Sequence, residues 1–284
     1  MSQITVTAQT FSRKPSDVSI VVRNLEQQEY SGVSKNWFGN NGVLTASMNV
    51  FSIYIPRGEK FFIKSVRYFE DKIEDPELLS LVKAFIKQEA NHYKAHEVFN
   101  AGLEHQNIRS SREEKAAEKL FSFMEKWLPK KMQLGITVFD EHLTASGAKL
   151  LLQSEKLAAS LDPEMRKLWE WHAVEEIEHK SVAFDVYEAM GCGYFHRMFS
   201  ALVGLIVQSV FIIGSENRLL REQGITRFGS EGKAAGRLIK SAIDIKAVVK
   251  EFVMYFKPGF HPWDIDDRPF IKEWYTKHPE YPQS

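Results

Sequence analysis

PEMRKLWEWHAVEEIEH, residues 163–179, is the stretch whose reading decides the fold. Asp162 precedes it as an N-cap and Pro163 takes the first helical position, so a helix begins here. His172, Glu176 and His179 then fall at positions 0, 4 and 7 of one helical stripe. The same design occurs earlier, where Asp75 and Pro76 open PELLSLVKAFIKQEANHYKAH, residues 76–96. Glu89 follows Asp75 by 14 residues, as Glu176 follows Asp162 by 14. Each segment thus carries a Glu-x-x-His unit, Glu89/His92 and Glu176/His179, deep inside a helix.

A solitary glutamate precedes each unit, Glu59 by 30 residues and Glu141 by 35. One helix plus a short connection fits either interval. Four such helices bring four carboxylates and two imidazoles to one centre, the recipe of a carboxylate-bridged dinuclear metal site. Polar groups placed among Leu, Phe, Ala and Trp need compensation, and a metal provides it by replacing their water. Four glutamates neutralise two divalent ions, and mixed oxygen and nitrogen donors suit iron or manganese. Two iron ions are the expected cofactor, with manganese and zinc as alternatives.

Several positions carry two readings. Glu59 follows Gly58 closely and either ligates or helps start its helix. Glu176 matches the three-residue interval to His179, while Glu175 reaches it at four. Glu178 points further round, towards a surface or supporting contact. His172 is the candidate seventh ligand. His96, seven residues beyond Glu89, ligates, supports a ligand or is an ordinary satisfied histidine. Glu175 and His96 are the candidates for proton transfer or for a supporting contact to a ligand.

Outward from these segments, residues 1–42 read as an irregular arm mixing Val/Ile/Thr with Ser, Asn and Gly. An apolar run from Val43 reaches Pro56, and helix is expected in GEKFFIKSVRYFED (58–71). Ser111 and Glu114 have capping-box spacing and open a helix towards Trp127. Pro129 opens the helix of Glu141, running to about Ser154. The helix from Pro163 is expected to continue to Met190, stopped by Gly191 and Gly193. Met198–Gly214 has no charge; its length of about 26 Å as a helix is slightly short of a hydrocarbon core. It reads either as a buried helix or as a membrane-contacting one. Lys233–Phe256 is expected to be one further helix, and KPGFHPWDIDDRPFIKEWY (257–275) an irregular aromatic cover. The expected organisation is an arm at 1–42, a metal-binding bundle at 43–195 and a packed C-terminal helical extension at 196–284.

The 284 residues contain 37 basic and 37 acidic side chains, so no global field favours nucleic acid. Cys192, the only cysteine, rules out an internal disulfide and a thiolate metal cluster. The opening MSQITVTAQTFSRKP has no long apolar segment, which favours a bacterial cytoplasmic location, with peripheral membrane association as an alternative.

The order Glu59, Glu89-x-x-His92, Glu141, Glu176-x-x-His179 resembles the ferritin-like di-metal carboxylate proteins. This resemblance implies an all-α fold: a ferritin-like four-helix bundle with additional C-terminal helices. His172-x3-Glu176-x2-His179 is similar to the fourth-helix motif of bacterial di-iron aryl-amine N-oxygenases, which implies that His172 joins the cluster. QEANHYKAH (88–96), FDEHLT (139–144), WHAVEEIEHKSVAFDVY (171–187) and KPGFHPWD (257–264) resemble the bacterial family of predicted metal-dependent hydrolases across most of the chain. The leading expectation is a non-haem di-iron oxidase or monooxygenase acting on a small apolar or aromatic substrate. It would use dioxygen and an external electron donor, since no flavin or haem motif is evident. Metal-dependent hydrolysis at a dinuclear centre is the first alternative, and non-enzymatic metal binding or storage the second. A homodimer is compatible with either.

Overall fold

Asn41 starts the first long helix by accepting from the amides of Val43 and Leu44. This helix, α1 (Gly42–Arg67), runs through Pro56 instead of ending there. A proline removes the hydrogen bond to the carbonyl four residues back. Here that carbonyl belongs to Ser52 and accepts from Asn100 Nδ2 at 2.9 Å instead. Glu59 therefore lies in mid-helix, buried, and not at a helix start.

The chain, seen in a computed structural model that describes residues 12–25 and 30–281, is all-α. Among the described residues the only β-type pairing is an isolated bridge between Phe38 and Leu161. Parts of the 1–42 lead-in, residues 1–11 and 26–29, lie outside the described residues. After α1 come α2 (Pro76–His105), α3 (Ser110–Trp127), α4 (Lys130–Gln153), the short α5 (Glu155–Ala158) and α6 (Pro163–His179). Asp75 and Asp162 cap α2 and α6 as their Asp-Pro signals predict. The Ser111/Glu114 capping box does not form. Ser110 starts α3 and its hydroxyl donates to Asn100 O, while Ser111 N–H donates to Glu104 across the turn.

The expected helix over 163–190 breaks in two, with α7 (Val182–Ala189) following α6. The break falls where buried Lys180 reaches Ile265 O and Asp267, and where the Ser181 hydroxyl bonds Asp185. Then come α8 (Tyr194–Glu222), α9 (Ser230–Ala242), α10 (Ile245–Met254) and α11 (Arg268–Lys277). The single helix expected over 233–256 is interrupted because Asp244 caps a new one, accepting from Lys246 and Ala247. The tail is more regular than expected: α11 buries Ile271, Trp274 and Tyr275.

Helix α1 packs along α2 and α4 along α6, while α1 also meets α4 and α2 meets α6. These four helices enclose the Glu/His stretches. Helix α8 lies against α4 and α1, and its crossing with α4 uses small residues. A side chain added at Gly135 would come within 2.6 Å of the Ser200 hydroxyl, and one at Gly204 within 3.2 Å of Ile136.

Candidate metal centre

Glu59 from α1, Glu89 and His92 from α2, Glu141 from α4, and His172, Glu176 and His179 from α6 converge in the interior, all buried. They form two adjoining groups. Glu59, His92, His172 and Glu176 offer donor atoms within 4.8 Å of one another, as do Glu89, Glu176 and His179. In the first group, His172 Nε2 lies 2.9 Å from Glu176 Oε1 and 3.5 Å from Glu59 Oε1, and His92 Nδ1 lies 3.5 Å from Glu176 Oε1. In the second, His179 Nε2 is 3.1 Å from Glu89 Oε1, 3.3 Å from Glu141 Oε2 and 3.6 Å from Glu176 Oε2. The two oxygens of Glu176 thus face different groups, the placement a bridging carboxylate would need.

The outer nitrogen of each imidazole is engaged elsewhere. His92 Nε2 meets Glu175 Oε2 at 3.0 Å, and His179 Nδ1 meets Gln88 Oε1 at 3.0 Å. Both partners accept, so each ring donates on that side, and its inward nitrogen is the one that would give its lone pair to a metal. His172 Nδ1 meets His96 Nε2 at 2.9 Å, and His96 Nδ1 meets the Ser52 hydroxyl at 2.8 Å. Ser52 in turn donates to Asn100 Oδ1, so the chain of donors can run outward and leave His172 Nε2 facing Glu59 and Glu176.

A test of fit lies in what these inner atoms lack. Glu59 Oε2, both oxygens of Glu89 and of Glu141, Glu176 Oε2, His92 Nδ1 and His179 Nε2 are buried without a hydrogen-bond partner. His179 Nε2 lies near three carboxylates, yet none is placed to make a hydrogen bond with it. Leaving so many buried polar atoms unmatched is costly unless a cation sits among them. The donor set therefore fits a metal.

The electrostatics of the metal-free chain agree. Burial, then the neighbouring Glu89 and Glu176, push Glu59 well above the usual carboxylate range. Burial raises Glu89 too, and takes Glu141 to about 8 against the pull of His179. Burial opposes the charge on His92, but the adjacent carboxylates of Glu175 and Glu176 overcome it and carry the ring to about 9. Burial and the neighbouring His92 hold His172 down at about 4. Crowded carboxylates without a metal take up protons.

Two of the candidates stand outside the converging set. Glu175 is not in it; both its oxygens are occupied, one by His92 and the other by the Arg23 amide at 3.0 Å and guanidinium at 3.1 Å. It is not a free proton carrier in this arrangement. His96 stands one ring behind His172 and does not reach the carboxylates. Glu178, for which a surface position was one reading, is buried on Arg23 at 2.6 Å.

A sequence model of the family described as predicted metal-dependent hydrolase matches residues 21–266. The chain belongs to that family. No curated protein and no solved structure matches it. The span matched by this family takes in every converging residue, and also Arg23 in the arm and His261 in the cover.

Sequence reading missed the residues that support the centre. Gln88 holds His179 and also donates to Glu178 Oε2 at 3.2 Å. Its signal was available, a polar residue at a buried position directly before Glu89. Arg23 had none: it lies in an irregular segment 152 residues from the carboxylate it neutralises.

An apolar cavity of about 270 Å³ reaches His172 and Glu176 and is walled by Phe51, Leu151, Trp169 and, from α9 and its end, Ile239 and Ile243. A smaller one of about 100 Å³ reaches Glu59 between Tyr54, Asp140, Gln208 and Ile212. Both share Phe51, Leu143 and Thr144 as lining.

Proposed function

We propose that the chain is a hydrolase with a dinuclear metal centre, acting on a small substrate with an apolar body. The observation that carries this reading is the pair of adjoining Glu/His groups, with inward donor atoms unmatched by protein, at the end of an apolar cavity. Family membership favours hydrolysis over oxidation. Glu59, His92, His172 and Glu176 would hold one ion; Glu89, Glu141 and His179 would hold the second, with Glu176 shared. Bound divalent ions would supply Lewis-acid polarisation and an activated water at neutral pH.

The chain's own residues do the rest. The cavity walls take up the apolar part of the substrate and direct its polar end towards His172 and Glu176. Glu175 and Gln88 fix the rings of His92 and His179, so the inward nitrogens need no reorganisation. Thr144 lines both cavities, and its hydroxyl, which donates to Glu141 O at 3.1 Å, would be a polar group for the substrate at their junction.

A second reading, a di-iron oxidase using dioxygen and external electrons, draws on how dry the site is. Every converging side chain is buried and the larger cavity is almost wholly apolar, an environment that protects an oxidant from side reactions. One experiment separates the two. Protein loaded in turn with zinc, manganese and iron is assayed for ester and phosphoester cleavage while oxygen uptake is followed. Cleavage without oxygen uptake supports the hydrolase. Substrate-dependent oxygen uptake with iron alone overturns it in favour of the oxidase. Bound metal with neither activity leaves metal binding or storage.

A further inference from the structure

The outer face of α8 is apolar along most of its length. Phe195, Phe199, Leu202, Ile206, Val210 and Ile213 recur at helical spacing and all are exposed, Phe195 by 85% and Val210 by 71%. By length and composition α8 could cross a bilayer, the one such helix among the described residues. Its inner face argues against a crossing. Arg197 donates to Tyr255 O at 2.6 Å, Gln208 to Asp140 at 2.6 Å, and Ser215 and Arg218 to Glu113 at 2.6 and 2.5 Å. Drawing α8 into lipid would break these contacts at three levels and strand buried polar groups. The geometry suits a helix lying on an apolar phase with one side still built into the protein.

Helices α9 and α10, which follow α8 in the chain, supply the sign of the partner. Helix α10 exposes Ile245, Val249 and Val253 at four-residue intervals, with exposed Lys246 and Lys250 each one position further on. Lys233, Arg237 and Lys240 on α9 and Lys257 after α10 are also exposed, as is Phe228, by 90%. Within residues 225–257 the acidic groups are few and engaged. Glu231 accepts from Gly42 N–H, Glu251 pairs with Lys149, and Asp244 caps α10. The end of α10 meets the start of α8, where Tyr194 donates to Phe256 O and Arg197 to Lys257 O. Self-association through this region would set cations against cations. An anionic bilayer accepts both the apolar stripes and the lysines.

We propose that α8, α9 and α10 dock the protein on the surface of an anionic lipid bilayer. The apolar stripe of α8 enters the acyl boundary, and the lysines of α9 and α10 contact headgroups. Ile239 and Ile243, which wall the larger cavity, belong to this same segment, so docking brings the route to His172 and Glu176 beside the lipid. The docking holds for either reaction, because it rests on a different face of the molecule.

The test is cosedimentation of the full-length, metal-loaded protein with vesicles. Pelleting with mixed phosphatidylglycerol–phosphatidylcholine vesicles, and little with phosphatidylcholine alone, is expected, with release at high salt. The double change Lys246→Ala and Lys250→Ala should lower partitioning about thirtyfold. Leu202→Asn with Val210→Asn should abolish it while helical circular dichroism and metal content stay unchanged. Failure of the wild type to pellet with anionic vesicles overturns the proposal. So does a dimer by analytical ultracentrifugation that the Leu202→Asn/Val210→Asn variant dissolves, if vesicle binding is unaffected by that variant.

Discussion

His179 and Glu178 are neighbours in sequence with different duties in the structure. The His179 ring turns Nε2 towards Glu89, Glu141 and Glu176, whereas the Glu178 carboxylate turns to Arg23. Replacing His179 with Ala should remove at least one metal per chain, while Glu178→Gln should retain both; equal occupancy in the two variants would contradict the assignment. Gln88→Ala, which frees the His179 ring without removing it, should weaken metal binding by about 10- to 100-fold in a competition titration. Titration adds a further consequence. Glu141 is raised by burial from 4.5 to about 8. Its folded value lies above its unfolded one, so its contribution to stability is complete below the unfolded value and lost as pH rises through about 8. The metal-free protein should therefore unfold more readily above about pH 8 than near pH 5, and the metal-loaded protein should lose less over that range. A metal must also displace these protons, so calorimetry in buffers of different ionisation enthalpy should register proton release, with affinity rising across the same range.

At the scale of elements, the ligand-bearing helices were the legible part. Apolar periodicity and the Asp-Pro signals at 75–76 and 162–163 are local, and both helices start where those signals lie. What escaped was set by contacts between distant residues. Pro56 reads as a stop, yet Asn100 satisfies the Ser52 carbonyl it frees. The break after His179 falls where Lys180 is drawn to Asp267, 87 residues away. Arg23 shows the same dependence on tertiary structure. Its guanidinium is buried between Glu175 and Glu178 and also bonds the Tyr275 hydroxyl. Arg23→Met would leave the buried carboxylates of Glu175 and Glu178 without their guanidinium and should cost about 3–5 kcal/mol in denaturant unfolding, with weaker metal retention because Glu175 also holds His92. A loss under about 1 kcal/mol would mean that the arm does not support the centre.

For the whole molecule, α1, α4, α6 and α9 leave a cavity beside the carboxylates, and its shape should govern which substrate is taken. A side chain added at Gly147 on the cavity wall would meet nothing within 4 Å. Gly147→Leu should therefore fold and bind metal normally while lowering kcat/KM for bulky substrates by about tenfold or more. Unchanged kinetics on every substrate accepted would place the substrate elsewhere. The cavity itself was not legible in the sequence, because Phe51, Leu151, Trp169 and Ile239 come from separate helices whose approach no local pattern encodes. Glu89/His92 and His172/Glu176/His179 were legible because their spacing is itself helical, and Glu59 and Glu141 through their intervals to those motifs. Whether they hold metal is settled most directly by elemental analysis of untagged protein expressed with iron, manganese and zinc supplied. The account predicts about two metal ions per chain, falling in the His179→Ala variant; a folded wild-type protein that remains metal-free under those conditions would contradict it.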